Sequence, residues 1–80
     1  MTSQQELDLL RQTCSAALEQ LISASHETEL RMHLLSLPIS LDAALQFASQ
    51  HDAEVQAHEA YLVASSHLAA FVKQHLYIID

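Results

Sequence analysis

Six histidines are the residues of this chain with the clearest capacity for chemistry. An imidazole can bind a transition metal, and its charge changes close to neutral pH. A two-histidine metal site on one helix needs a spacing of about four residues, and no pair in this sequence has it. We therefore expect surface histidines and no metal site, while a His-rich metal-binding or pH-responsive helical protein stays open as an alternative. The six are His26, His33, His51, His58, His67 and His75.

Two of these histidines, His51 and His58, lie among apolar residues that recur at helical spacing. If that stripe packs inside the protein, both imidazoles are partly buried and neutral, because burial lowers the pKa of a histidine. The unfolded chain then binds more protons, so we expect stability to fall as the pH drops through about 6.5.

Composition excludes several classes of function. The chain has no glycine, and its fixed cations are Arg11, Arg31 and Lys73 within a net charge of −7. Phosphate-binding loops need glycine where the backbone approaches the ligand, and nucleic acids or anionic membranes need clustered cations. No serine or cysteine stands in a recognisable nucleophile motif. We expect no enzyme activity, no catalytic residue, no cofactor, and no nucleic-acid or membrane partner.

The first half of the chain predicts a helix from about residue 4 to 36, with a bend near residue 25 left open. Ser3 and Glu6 have the spacing of a capping box, and Glu27 and Arg31 that of a stabilising ion pair. Cys14, the single cysteine, falls on the apolar stripe, so we expect an inert, buried thiol. That stripe consists of Leu7, Leu10, Cys14, Ala17, Leu21 and Ala24, widened by Leu18 and Ile22.

A turn at residues 37–40 separates this helix from a second one over about 41–77. Pro38 disfavours helical geometry at the preceding residue, and Ser40 is a natural N-cap. We expect an all-α fold in a single domain, 1–80: an antiparallel helical hairpin of two long helices joined at Pro38. The stripe expected to pack on the first helix is Leu41, Ala44, Ala48, His51, Val55, His58, Leu62, Ser65, Ala69, Val72, Leu76 and Ile79.

The second helix carries apolar side chains on another side as well, so two surfaces need covering. A lone hairpin leaves one of these apolar surfaces exposed to water, so we expect self-association into an oligomer or docking on a protein partner. The chain end is also unusually apolar for a terminus. The predicted partner-binding residues are Phe47, Tyr61, Leu68, Phe71, Leu76 and Ile78.

The layout resembles that of the small helical-hairpin co-chaperones of bacterial type III secretion. Those are short two-helix proteins that, with a larger helical-repeat partner, hold secretion subunits soluble before export. The resemblance covers most of the chain and transfers no individual functional residue. It rests on the pattern Leu7-Asp8-Leu9-Leu10, Ala16-Ala17-Leu18, Leu21-Ile22, on the break at Pro38, and on the long amphipathic second helix.

The sequence therefore favours a non-enzymatic helical interaction module, and the resemblance implies a co-chaperone-like subunit that binds and stabilises a secretion-system protein. A self-contained dimeric regulatory bundle is a further alternative. The first residues lack the basic start and apolar core of a secretory signal, so we expect a cytoplasmic protein.

Overall fold

A computed structural model describes residues 2–76 and confirms the all-α hairpin. Helix α1 spans Ser3–His33 and helix α2 spans Leu41–Leu76, and the two pack against each other along their length. The molecule is a rod of 64 × 17 × 15 Å. The chain has no glycine and one proline, and between Ser3 and Leu76 only the turn interrupts helical geometry.

The N-terminal cap of α1 lies one residue earlier than the sequence analysis predicts. Thr2, not Ser3, is the N-cap: its hydroxyl oxygen accepts the Gln5 amide hydrogen bond at 3.1 Å, and its own amide donates to Gln5 Oε1 at 2.9 Å. Thr2 and Gln5 have the same capping-box spacing as the expected pair, Ser3 and Glu6. Moving the cap back lengthens the helix by one residue.

The turn follows the rules that the sequence suggests. The amides of Leu34 and Leu35 donate to carbonyls only three residues back, which tightens and closes α1 before Pro38. Helix α1 thus ends at His33 rather than near residue 36. At the start of α2, the Ser40 hydroxyl accepts the Ala43 amide hydrogen bond at 3.1 Å, which confirms Ser40 as the N-cap.

Helix α1 turns its predicted stripe toward α2. The stripe continues past Ala24 through Thr28, Arg31 and Leu35, and all its members are partly shielded from solvent. The helix runs unbroken through residue 25. Arg31 Nε lies 3.3 Å from Glu27 Oε1, as their spacing predicts. Leu18 and Ile22, expected to widen the stripe, instead point outward and are 39% and 59% exposed.

Helix α2 turns a different stripe toward α1 from the one predicted, displaced by a single residue. One residue rotates the facing side by about 100°, so the predicted stripe lies almost entirely exposed on the flank. We call the stripe that faces α1 the inner stripe and the predicted one the outer stripe of α2. The inner stripe is Ala43, Phe47, Gln50, Glu54, Ala57, Tyr61, Ala64, Leu68, Phe71 and His75, all buried or partly buried.

The hydrophobic core is small. Among residues 2–76, only Ala64 and Phe71 are buried, at 7% and 8% exposure. The Phe71 ring stacks on the His75 imidazole with centroids 3.9 Å apart, and His75 Nδ1 lies 2.9 Å from the Phe71 carbonyl oxygen. Two helices alone cannot enclose a side chain from all sides, so much apolar surface remains in contact with water.

Candidate protein-interaction surface

Polar contacts between the helices fix their register in the half of the molecule nearest the turn. The Ser25 hydroxyl donates to Glu54 Oε2 at 2.8 Å, and Gln50 Nε2 donates to the Ala24 carbonyl oxygen at 3.1 Å. Arg31 Nη1 donates to Gln46 Oε1 at 2.7 Å. The Ser25 hydrogen bond stabilises the carboxylate and lowers the pKa of Glu54 below its ordinary value of 4.5.

This register extends toward the open end of the hairpin, where the chain termini lie. Equal numbers of residues counted back along α1 and forward along α2 from the Ser25–Glu54 and Arg31–Gln46 bonds bring Cys14 closest to Ala64 and Ala17 closest to Tyr61 among the inner-stripe residues. Two small side chains then meet at Cys14 and Ala64, and the small Ala17 faces the larger Tyr61, which lets the helices pack closely. We call the contact between the α1 stripe and the inner stripe of α2 the seam. Cys14 is partly buried in it.

The predicted partner-binding residues divide between the seam and the surface. Phe71 is buried at 8% exposure, whereas Leu76 is 64% exposed, and Ile78 lies outside the described residues. Phe47, Tyr61 and Leu68 are partly buried on the inner stripe. The hairpin itself therefore covers four of the six residues.

The expectation from which these partner-binding residues are chosen is wrong. In that expectation α1 covers Val72 and Leu76 and leaves Phe71 free, but Val72 is 53% exposed and Phe71 is buried. The physical reason is the one-residue displacement of the facing stripe, which brings the aromatic rings under α1 and turns the aliphatic residues out. The unpartnered apolar surface is thus the outer stripe.

The outer stripes of the two helices form one continuous side of the rod. On each helix, the outer stripe is the set of residues that directly follow the seam residues. A groove of about 400 Å³ on this side is lined by Leu21 and Ser25 of α1 together with His51, Glu54, Val55 and His58 of α2, so both outer stripes open onto it. We call this side the outer face. Its exposed large apolar residues are Leu18, Ile22, Met32, Leu41, Val55, Leu62, Val72 and Leu76.

Fixed charges are almost absent from the outer face. The outer stripe of α2 contains no Asp, Glu, Lys or Arg, while the acidic and basic residues of that helix lie elsewhere on its circumference. On α1, charges occur only toward the two ends, at Asp8, Arg11 and Glu29. In the middle, the one carboxylate at the groove is that of Glu54, which accepts the Ser25 hydrogen bond. A face that is mostly apolar in its middle and charged at its ends has the composition of a protein interface.

The opposite side of the rod is more polar. Arg31 and Gln46 bond there at the surface, and the adjoining groove is lined by these residues with Leu45, Ser49 and Gln50. In sevens from Gln46, that row of α2 continues with Ala53, Ala60, His67 and Gln74. This side also carries exposed apolar residues, namely Leu9, Leu30, Leu34, Leu45 and Val63, and two more, Leu37 and Ile39, lie in the turn.

The histidines do not gather into a site. His51 and His58 are exposed, with 59% of the His51 side chain accessible, so the expectation that the hairpin buries them is wrong. His26 lies roughly level with His51 along the rod, between the Ser25–Glu54 and Arg31–Gln46 contacts. Within residues 2–76, no three His, Cys, Asp or Glu side chains lie close enough together to hold a metal ion.

Comparison of the chain with protein-family models, with curated proteins and with solved structures gives no match. Neither described helix is long and apolar enough to cross a bilayer.

Proposed function

We propose that this protein is a non-enzymatic helical interaction module that works in the cytoplasm. Its outer face packs against helices of another protein chain and shields them from water. The finer form of the proposal, suggested by the resemblance to type III secretion co-chaperones, is that the bound chain is a secretion-system protein kept soluble until export.

The exposed outer face is the observation that carries this proposal. Eight large apolar residues are 39% or more exposed along it, and an apolar strip of this extent on a small protein is characteristic of an interaction site. Packing helix on helix needs no catalytic group, and a binding partner would supply the core that the hairpin lacks. The acidic balance of the chain, at −7, favours partners with neutral or basic surfaces.

The test is to purify the tagged protein from its native host and to compare two single substitutions. Leu62→Glu places a charge in the middle of the outer face, and Gln56→Glu places the same charge on the other side of the same helix. A partner that binds the outer face should be retained by the wild type and by Gln56→Glu, and lost by Leu62→Glu.

The partner should then be identified by mass spectrometry and the complex re-formed from purified components. The proposal requires a complex of fixed stoichiometry whose two proteins unfold together at a higher temperature than either alone. Equal recovery of the partner by both variants would refute the assignment to the outer face. A partner from outside the secretion apparatus would refute only the finer form.

A further inference from the structure

The chain exposes more surface than a folded monomer of its mass normally does. Its accessible area is 6237 Å², against about 4,800 Å² expected from the scaling of surface with mass. The excess of about 1,400 Å² exceeds the roughly 800 Å² that each partner loses in a standard interface, and matches the larger contacts of obligate homodimers. One interface of that size would bring the accessible area of each chain down to the value expected for its mass.

The outer stripe of α2 has nearly the same chemistry when read from either end. Residues at distances from His58 that are equal to within one residue form pairs in which apolar faces apolar and polar faces polar. His58 itself stands at the centre. From the ends inward the pairs are Leu41 with Leu76, Ala44 with Val72, Ala48 with Ala69, His51 with Ser65, and Val55 with Leu62.

The outer stripe of α1 repeats this symmetry about the same level of the rod. Counted from the Ser25–Glu54 and Arg31–Gln46 bonds, the midpoint of its pairs, near residue 20, lies about level with His58. Leu18 then pairs with Ile22, and Arg11 with Glu29, so opposite charges meet. The one mismatch is Asp8 with Met32, at the rim, where Asp8 also lies 3.9 Å from Arg11 of its own chain.

We propose that a second copy of this chain covers the outer face in an antiparallel, two-fold symmetric dimer. The two-fold axis passes across both helices at the level of His58. It stacks α1 on α1 and α2 on α2, giving a four-helix bundle. This inference rests on the proposed function, because both place the binding on the outer face; the second copy occupies that face in the absence of a host partner.

The residue pairs favour this arrangement over the two alternatives. In a parallel dimer, α1 of one copy would lie on α2 of the other, and Arg11 and Glu29 would each face an outer stripe without a counter-charge, at a cost in desolvation. An unrelated helix would need no symmetry in this sequence at all. Self-complementarity about one axis is what an isologous interface requires.

The first experiment measures the mass of the purified protein by light scattering at micromolar concentration. The wild type and the control variant Gln56→Glu should be dimers, while Leu62→Glu should be a helical monomer. Circular dichroism checks that Leu62→Glu stays folded, as the 48% exposure of Leu62 in the hairpin allows. A monomeric wild type, or a dimer unaffected by Leu62→Glu, would overturn the inference.

The second experiment tests the axis by cross-linking single cysteines in a Cys14→Ala background. His58→Cys chains should cross-link to each other at least about tenfold faster than Gln56→Cys chains, because the symmetric contact raises the effective concentration of the two thiols to millimolar. Leu41→Cys chains should not link to each other, since the two positions lie about 50 Å apart, but should link to Leu76→Cys chains when mixed. Rapid Leu41→Cys self-linking, or no link between Leu41→Cys and Leu76→Cys chains, would refute the axis.

These outcomes separate the inference from the proposed function. A purified monomer that still binds a host protein through Leu62 refutes the dimer and leaves the interaction module intact. A dimer with the predicted cross-links that binds no host protein supports the inference and refutes the wider function.

Discussion

The two halves of the seam between α1 and α2 are built differently. Near the turn, the helices meet through polar contacts, among them Ser25 with Glu54 and the Gln50 amide with the Ala24 carbonyl. Toward the open end they meet through apolar side chains, and both buried residues, Ala64 and Phe71, lie there. Apolar burial is the main source of stability, whereas polar contacts between helices chiefly fix their register. The open end therefore holds the hairpin together, and the half near the turn aligns it.

The largest expected effect comes from two phenylalanines at equivalent positions of the inner stripe. Phe71→Ala should lower the free energy of unfolding by about 3 kcal/mol, as large-to-small changes in a core do. Phe47→Ala should lower it by about half as much, because Phe47 in the half near the turn stays partly exposed. Urea denaturation of both variants at one protein concentration measures the difference. Equal losses would mean that the two halves contribute alike.

A smaller effect is expected from pH, and it should come from the polar half. The Ser25 hydroxyl lowers the pKa of Glu54 below 4.5 in the folded protein. On acidification the unfolded chain therefore takes up this proton first, and its contribution to stability is lost as the pH falls below that value. Glu54→Gln should flatten the loss that begins as the pH falls through 4.5. Glu59→Gln, an exposed control on the same helix, should leave it unchanged, and identical profiles for both variants would contradict the assignment.

Much of the fold follows from the pattern of residues. Helical spacing, the proline and the serine cap predict two helices and their turn, and the stripe of α1 from Leu7 to Ala24 is the one that the structure uses. These features depend on local chemistry, which a single sequence carries in full. The exception is the N-cap, where Thr2 and Ser3 are equally suitable and only the structure distinguishes them.

The facing side of α2 could not be predicted in the same way. This helix has two apolar stripes one residue apart, and periodicity fits both equally well. The decision depends on α1, whose stripe becomes polar at Thr28 and Arg31 and places Ser25 beside the seam. Only the inner stripe offers an amide and a carboxylate at that level, in Gln50 and Glu54. Matching polar positions across the turn would have been the informative signal.

The same displacement decided the interaction surface. If the aliphatic stripe packed on α1, the aromatic residues would be free to bind a partner. In the structure the aromatic residues pack on α1 and the aliphatic stripe is free. The symmetry of the outer stripes was readable in the sequence, but it acquires meaning only once that side is known to be free of α1.

The central claim is that α1 packs on the inner stripe of α2 and leaves the outer stripe free, and the native thiol of Cys14 can test it directly. Ala64→Cys puts a second thiol on the inner stripe, level with Cys14, and Leu62→Cys puts one on the outer stripe nearby. Under mild oxidation of dilute protein, we predict that Ala64→Cys forms a disulfide within one chain, because its Cα should lie within the 4.4–6.8 Å or so that a disulfide spans. Leu62→Cys should stay reduced within the chain. A disulfide from Cys14 to position 62, with none to position 64, would contradict the account.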